Sequence, residues 1–153
     1  MKETKITDLL KQAYASELET VANYLANSVW LDGIGAQEVS QSLAKEVADE
    51  LGHATRLAHR LKQLGVCPPG SMDLERTQKS LQPPSNATDV LSVVTGSLDA
   101  ENEAIALYRK LIKACGDDDC VTHDLAVQIL ADEEGHRTLF EGFLKSLKKD
   151  RKS

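Results

Sequence analysis

Aromatic side chains are scarce in this sequence: one Trp, three Tyr and two Phe make up 4% of its 153 residues. A hydrophobic core therefore has to be assembled mainly from Leu, Val, Ile and Ala. Prolines number four and glycines nine, and sustained β-branched runs are few, which argues against a β-sandwich and for helices. Cysteine is limited to Cys67, Cys115 and Cys120, an odd number without CxxC spacing, so neither a disulfide framework nor a zinc knuckle is indicated. No apolar run approaches the ~20 residues of a membrane span, and the opening "MKETKITDLL" lacks the apolar core of a signal peptide. The expectation is a cytoplasmic chain with no membrane partner. Positive charge is in the minority, 18 Lys and Arg against 24 Asp and Glu for a net charge of −6, which argues against nonspecific nucleic-acid binding and suits a chain that attracts cations. The basic end "KSLKKDRKS" fits a solvated helix terminus, where Lys favours the macrodipole.

What is present is helical periodicity. The length favours one domain over residues 1–153 and allows a real core. Four amphipathic patterns predict helices over about residues 4–31, 37–64, 89–115 and 120–149. "LDGIG" breaks the first, with Gly33 placed for a helix C-cap, and "GDDD" turns the third into the fourth. Those two connections are short and make antiparallel neighbours. The middle one, about residues 66–88, is rich in Pro, Ser and polar residues and long enough to travel the length of a bundle. The expected architecture is all-α: a four-helix bundle of two antiparallel hairpins joined by a long crossover, as in ferritin-like folds.

Each helix has an apolar stripe at 3–4 spacing, and each stripe has one Glu near its middle: Glu17, Glu50, Glu101 and Glu133. One such carboxylate could be an error of register or a side chain snorkelling to an edge; four are harder to dismiss. Burying an unpaired carboxylate costs several kcal/mol even after relaxation. Something cationic is needed among them, and the stripes themselves offer only Arg137.

Histidines complete the pattern. His53 follows Glu50 by three residues in "ADELGH", and His136 follows Glu133 by three in "ADEEGH". That spacing puts both members of a pair on one helix face, about 4.5 Å apart along the axis. The resulting set of four Glu and two His is the ligand pattern of di-iron and di-manganese carboxylate bundles. Four carboxylates balance two divalent cations, and mixed O and N donors suit iron or manganese better than a closed zinc site. The pattern also repeats internally, since Glu17 and Tyr24 have the spacing of Glu101 and Tyr108. Each half would supply one Glu and one Glu-x-x-His to a pseudo-two-fold site. Tyr24 and Tyr108 read either as core aromatics or as groups that hydrogen-bond a ligand carboxylate or act in redox beside it. Glu19, Glu103, Glu134, His59 and His123 read as surface residues, Trp30 as packing, and Cys115 with Cys120 as part of a surface loop.

At "SELETVANYL", "VADELGHATRLAHRLKQLGVCP", "ENEAIALYRKL" and "ILADEEGHRTLFEGFL" the chain resembles the ferritin-like superfamily, and within it the bacterioferritins. The resemblance covers nearly the whole chain. It implies a ferroxidase centre made by Glu17, Glu50, His53, Glu101, Glu133 and His136, with Glu50 and Glu133 as bridging carboxylates, Glu17 and Glu101 as terminal ones, and Tyr24 beside the centre. Two iron ions are the implied cofactors, with manganese the alternative. Leu51 stands where the family's haem-ligating Met would follow the second-helix Glu, and the only methionines are Met1 and Met72, so that haem ligand is missing. Family members that form 24-subunit cages usually carry a fifth helix. Its absence here shifts the expectation toward a twelve-subunit homo-oligomeric shell resembling mini-ferritins, although Dps proteins place their iron site between subunits with other ligands.

The implied activity is oxidation of Fe(II) by O2 or H2O2, for iron storage and detoxification. A rubrerythrin-like peroxidase is the second reading. It is weakened by the lack of a CxxC pair and by Ala104, which stands where a further third-helix carboxylate would be expected. The third reading is a non-catalytic metal-binding or partner-binding bundle.

Overall fold

The structure, a computed structural model, describes residues 2–152. Four long helices make the frame: α1 over Lys2–Trp30, α2 over Ala36–Gln63, α3 over Val90–Cys115 and α4 over Cys120–Asp150. Between α2 and α3 the crossover contains two single 3-10 turns, Ser71–Asp73 and Lys79–Leu81. No strand occurs among the described residues, and none of their helices is long and apolar enough to cross a membrane.

Local chemistry sets the helix ends. Asp89 caps α3 by accepting the backbone N–H of Ser92, and Asp119 caps α4 by accepting that of Thr122. α2 closes in a Schellman turn: Gly65 N–H reaches the carbonyl of Lys62 and Val66 N–H that of Leu61. This needs a left-handed residue after the cap, and Gly65 supplies it at φ 74°. Gly33 lies two positions past the cap residue Leu31, in the turn between α1 and α2 rather than at the cap itself.

Contacts along the helices give their directions. From Arg60 bonded to Asp119 and Thr122 to Arg56 bonded to Gln128, falling numbers in α2 meet rising numbers in α4, so these helices are antiparallel. Likewise Tyr24 of α1 meets Glu101 of α3 while Tyr108 meets Glu17. With α1 also antiparallel to α2 across a short turn, α2 and α3 run the same way. The chain between them must therefore return along the bundle, which is what the crossover does. It follows α1: Glu19 accepts the N–H groups of Thr77 and Gln78, Asn27 donates to the Leu81 carbonyl, and Trp30 Nε1 donates to Pro84. Glu19, expected as a plain surface residue, is thus an anchor of the crossover, and Trp30, expected as packing, is exposed and holds the crossover through its hydrogen bond.

Apolar packing falls into two clusters. One joins Tyr24, Leu43, Leu81, Val94 and Phe140; the other joins Leu10, Leu57, Leu61, Leu111 and Ile129. Cys115 is buried in the second cluster, not in a surface loop, while Cys67 and Cys120 are exposed. Between the clusters lies a layer of buried charge.

Candidate metal centre

That layer is built by all four helices. Glu17 comes from α1, Glu50 and His53 from α2, Glu101 from α3, and Glu133 and His136 from α4; all six are buried. Their donor atoms form two overlapping groups. Glu17, Glu50, His53 and Glu133 each offer one atom within 4.8 Å of the others, and so do Glu50, Glu101, Glu133 and His136. Glu50 and Glu133 belong to both groups, while Glu17 and Glu101 each belong to one.

Both imidazoles present Nδ1 to this interior. His53 Nδ1 is 3.1 Å from Glu133 and 3.6 Å from both Glu17 and Glu50. His136 Nδ1 is 3.1 Å from Glu50, 3.4 Å from Glu133 and 3.7 Å from Glu101. The rings lie 6.2 Å apart at 24° to each other. Their outer Nε2 atoms face further carboxylates. His53 Nε2 is 2.9 Å from Asp132, and His136 Nε2 is 2.5 Å from Glu46 and 3.6 Å from Asp49. Such outer partners fix the tautomer and ring orientation of a ligating imidazole. Sequence reasoning missed all three of these carboxylates, whose only signal was their position within a turn of the Glu-x-x-His pairs.

The tyrosines cross between helices. Tyr24 of α1 donates its hydroxyl to Glu101 of α3 at 2.5 Å, and Tyr108 of α3 donates to Glu17 of α1. Both rings are also core residues, so the two readings of these tyrosines hold together. Each bond pins one oxygen of an outer carboxylate. Arg137 does not reach the interior: it is half-buried and lies 3.8 Å from Glu141 on its own helix. The cationic groups among the carboxylates are instead the two imidazoles.

Electrostatics follow from this crowding. Burial, then the charge of Glu17, push Glu50 and Glu133 well above the usual carboxylate range. Burial also presses Glu17 upward, but hydrogen bonds with Glu50 and His53 outweigh it and leave Glu17 lowered. Burial would lower His53 and His136, yet the surrounding carboxylates raise both far above ordinary imidazoles. Tyr24 and Tyr108 are raised well above an ordinary phenol by burial and then by the nearby carboxylates.

Whether two cations fit can be judged from the orphaned atoms. Glu50 Oε1, Glu101 Oε2, Glu133 Oε1, His53 Nδ1 and His136 Nδ1 are fully buried and make no well-aligned hydrogen bond; the imidazole nitrogens meet the carboxylates only as ion-pair contacts. Native interiors rarely leave so many polar atoms unsatisfied in one place. All five point into the two donor groups, so a pair of divalent cations, one per group, could satisfy them. Four carboxylates and two imidazoles make a mixed oxygen and nitrogen set suited to iron or manganese.

Comparison with known proteins shows the family and the fold. The sequence pattern of the ferritin-like domain matches residues 7–150. The bacterioferritin of Desulfovibrio desulfuricans is 28% identical over 141 residues, spanning 92% of this chain and 74% of that protein. The bacterioferritin of Brucella melitensis is 28% identical over 148 residues, spanning 96% and 87%. Among solved structures, the bacterioferritin-related protein from Bacteroides fragilis, a dodecameric thioferritin, superposes with a TM-score of 0.88 at 22% identity, over 98% of this chain and 90% of that one. The Desulfovibrio desulfuricans bacterioferritin, whose diiron site was determined in different catalytic states, gives 0.79 at 26% identity, over 97% and 82%.

Proposed function

The chain belongs to the ferritin-like domain family, and from that premise we propose that it is a di-iron ferroxidase serving iron storage and detoxification. The observation that carries this reading is the pair of four-donor groups sharing Glu50 and Glu133. In this reading Glu50 and Glu133, which belong to both groups, would serve both Fe(II), Glu17 and His53 would hold one ion, and Glu101 and His136 would hold the other.

A bound pair of irons supplies two electrons to one oxidant. With O2 and two protons the products are two Fe(III) and H2O2; with H2O2 and two protons they are two Fe(III) and two waters. The chain's own residues hold the two ions together, so that both electrons reach a single acceptor. Tyr24 and Tyr108 keep Glu101 and Glu17 aimed inward. The apolar clusters on either side limit water at the pair. Leu51 offers no ligand atom, so this reading assigns no haem at that position. The relatives also support a homo-oligomeric shell. The twelve subunits of the Bacteroides fragilis protein make a dodecamer the first expectation here, with 24 subunits the alternative.

The test is anaerobic loading with two Fe(II) per chain, followed by O2 or H2O2 in stopped flow. Fast oxidation is expected in the wild type, and its loss in Glu50→Ala and Glu133→Ala. Unchanged rates in both variants would remove the ferroxidase reading. Tight metal binding without turnover would favour the non-catalytic bundle instead.

A further inference from the structure

In the two halves of the centre, α2 and α4 are related by an offset of 83 positions, which carries His53 to His136 and Asp49 to Asp132. Perfect symmetry would place Asp132 on His53 and Asp49 on His136 in the same way. The first contact is made, at 2.9 Å, by a carboxylate that is 56% exposed. The second is not: Asp49 stands off at 3.6 Å, and Glu46 takes its place on His136 Nε2 at 2.5 Å. Glu46 is buried, with a side chain only 6% exposed, and its Oε2 has no hydrogen-bond partner apart from this ion pair. At the matching position in the other half stands Ile129, which is part of the apolar core. The departure from symmetry is therefore one buried carboxylate, present behind one imidazole and replaced by hydrocarbon on the other side.

An exposed carboxylate is screened by water, whereas a buried one acts at nearly full strength on its partner. A carboxylate on the outer nitrogen of a ligating imidazole fixes its orientation and raises its basicity as a ligand. Resting on the two-metal reading above, we propose that Glu46 is a positioning residue that makes the His136 half the tighter of the two metal positions. Cations then load in order, first between Glu101 and His136, then between Glu17 and His53. Glu50 and Glu133, common to both halves, cannot create this difference, and neither can the tyrosines, which serve Glu17 and Glu101 alike.

The experiment is anaerobic titration of the metal-free, full-length chain with Co(II) alone, followed by its d–d absorption. The wild type should bind two ions in two resolved steps; a single step for both would overturn the proposal. Glu101→Ala should remove the tighter step and Glu17→Ala the weaker one, and the reverse assignment would also overturn it. Glu46→Leu should weaken the tighter step by ~10–100-fold and shift its spectrum, with the weaker step unmoved. Glu46→Gln keeps an oxygen acceptor but no charge, so it should retain the spectrum of the first ion while losing part of its affinity. Helical circular dichroism of both variants reports that the bundle is intact. Unchanged constants in Glu46→Leu, an equal loss on both steps, or a third Co(II) taken up by the wild type and lost in Glu46→Leu, which would make Glu46 a ligand, would each overturn the positioning role while leaving the two-metal reading in place. A wild-type chain that takes up no pair of Co(II) would remove that reading as well.

Discussion

His53 and His136 occupy a place where burial alone would favour the neutral ring, yet the carboxylates around them hold a proton on each in the metal-free chain. The same crowding keeps Glu50 and Glu133 protonated above their ordinary range. All four shifts have one sign: the centre of the folded metal-free chain binds more protons than in the unfolded one, with Glu17 opposing there and Asp119 opposing at the start of α4. Stability must then fall as pH rises. For the imidazoles the contribution is full below the ordinary value of 6.5 and is lost as pH climbs toward and through their raised folded values. For Glu50 and Glu133 the loss begins already above 4.5, where the unfolded carboxyls ionise. Metal binding needs these atoms deprotonated, so it releases protons and strengthens with pH. Calorimetric melting in a chelator should therefore show a Tm that drops between about pH 6.5 and 9, as the unfolding free energy falls by up to ~1.4 kcal/mol per pH unit for each proton involved. Saturating Mn(II) should remove or reverse that slope, because a ligand at 100 times its Kd adds about 2.7 kcal/mol per site. A Tm that rises with pH in the metal-free chain would contradict the protonation scheme.

At the scale of elements, the crossover is the part whose position depends on single backbone contacts. Gly96 of α3 lies under it so closely that an added Cβ would sit 2.3 Å from the Ser80 carbonyl oxygen. Gly96→Ala must lift that segment, at a cost of roughly 1–3 kcal/mol by analogy with overpacked cores. The displaced stretch contains Arg76 and Lys79, both exposed, so limited trypsin cleavage there should quicken while the four helices stay resistant. Equal cleavage rates in the variant and the wild type would mean that the contact is slack. None of this was visible in the sequence. Glu19 and Asn27 matter through residues more than fifty positions away and Gly96 through the crossover folded back on α3, and no local pattern encodes such a meeting. The helices were legible because their stripes repeat and "LDGIG" and "GDDD" break them; each boundary lies within two residues of the expectation. The six central Glu and His residues could be picked out because each interrupts an apolar stripe or pairs with one that does. Glu46, Asp49 and Asp132 sit beside the stripes, where acidic residues are ordinary, and only the antiparallel meeting of α2 with α4 brings them to the imidazoles.

For the whole molecule, the charged layer splits the apolar core in two, an arrangement that a lone bundle would not favour without cations to bind. A second imbalance lies outside. Leu25 is 53% exposed and Val29 79%, four residues apart on α1, and Leu51 of α2 is 50% exposed in a groove it shares with Leu18 and Tyr14. Helical spacing puts Leu18, Leu25 and Val29 on one stripe, so the outward seam of α1 and α2 is a continuous apolar strip. Exposed strips of this kind mark contact surfaces. In a homo-oligomeric shell a second copy of the same seam can cover it, as expected of a two-fold contact. Leu25→Glu with Val29→Glu should then lower the native mass to a monomer or small oligomer, read by native mass spectrometry or sedimentation. The change lies on the outer face, away from the four Glu and two His, so each chain should still bind two Co(II) in the dissociated state. An assembly of unchanged mass would show that the shell closes through other faces, and a simultaneous loss of both ions would show that the centre depends on the contact.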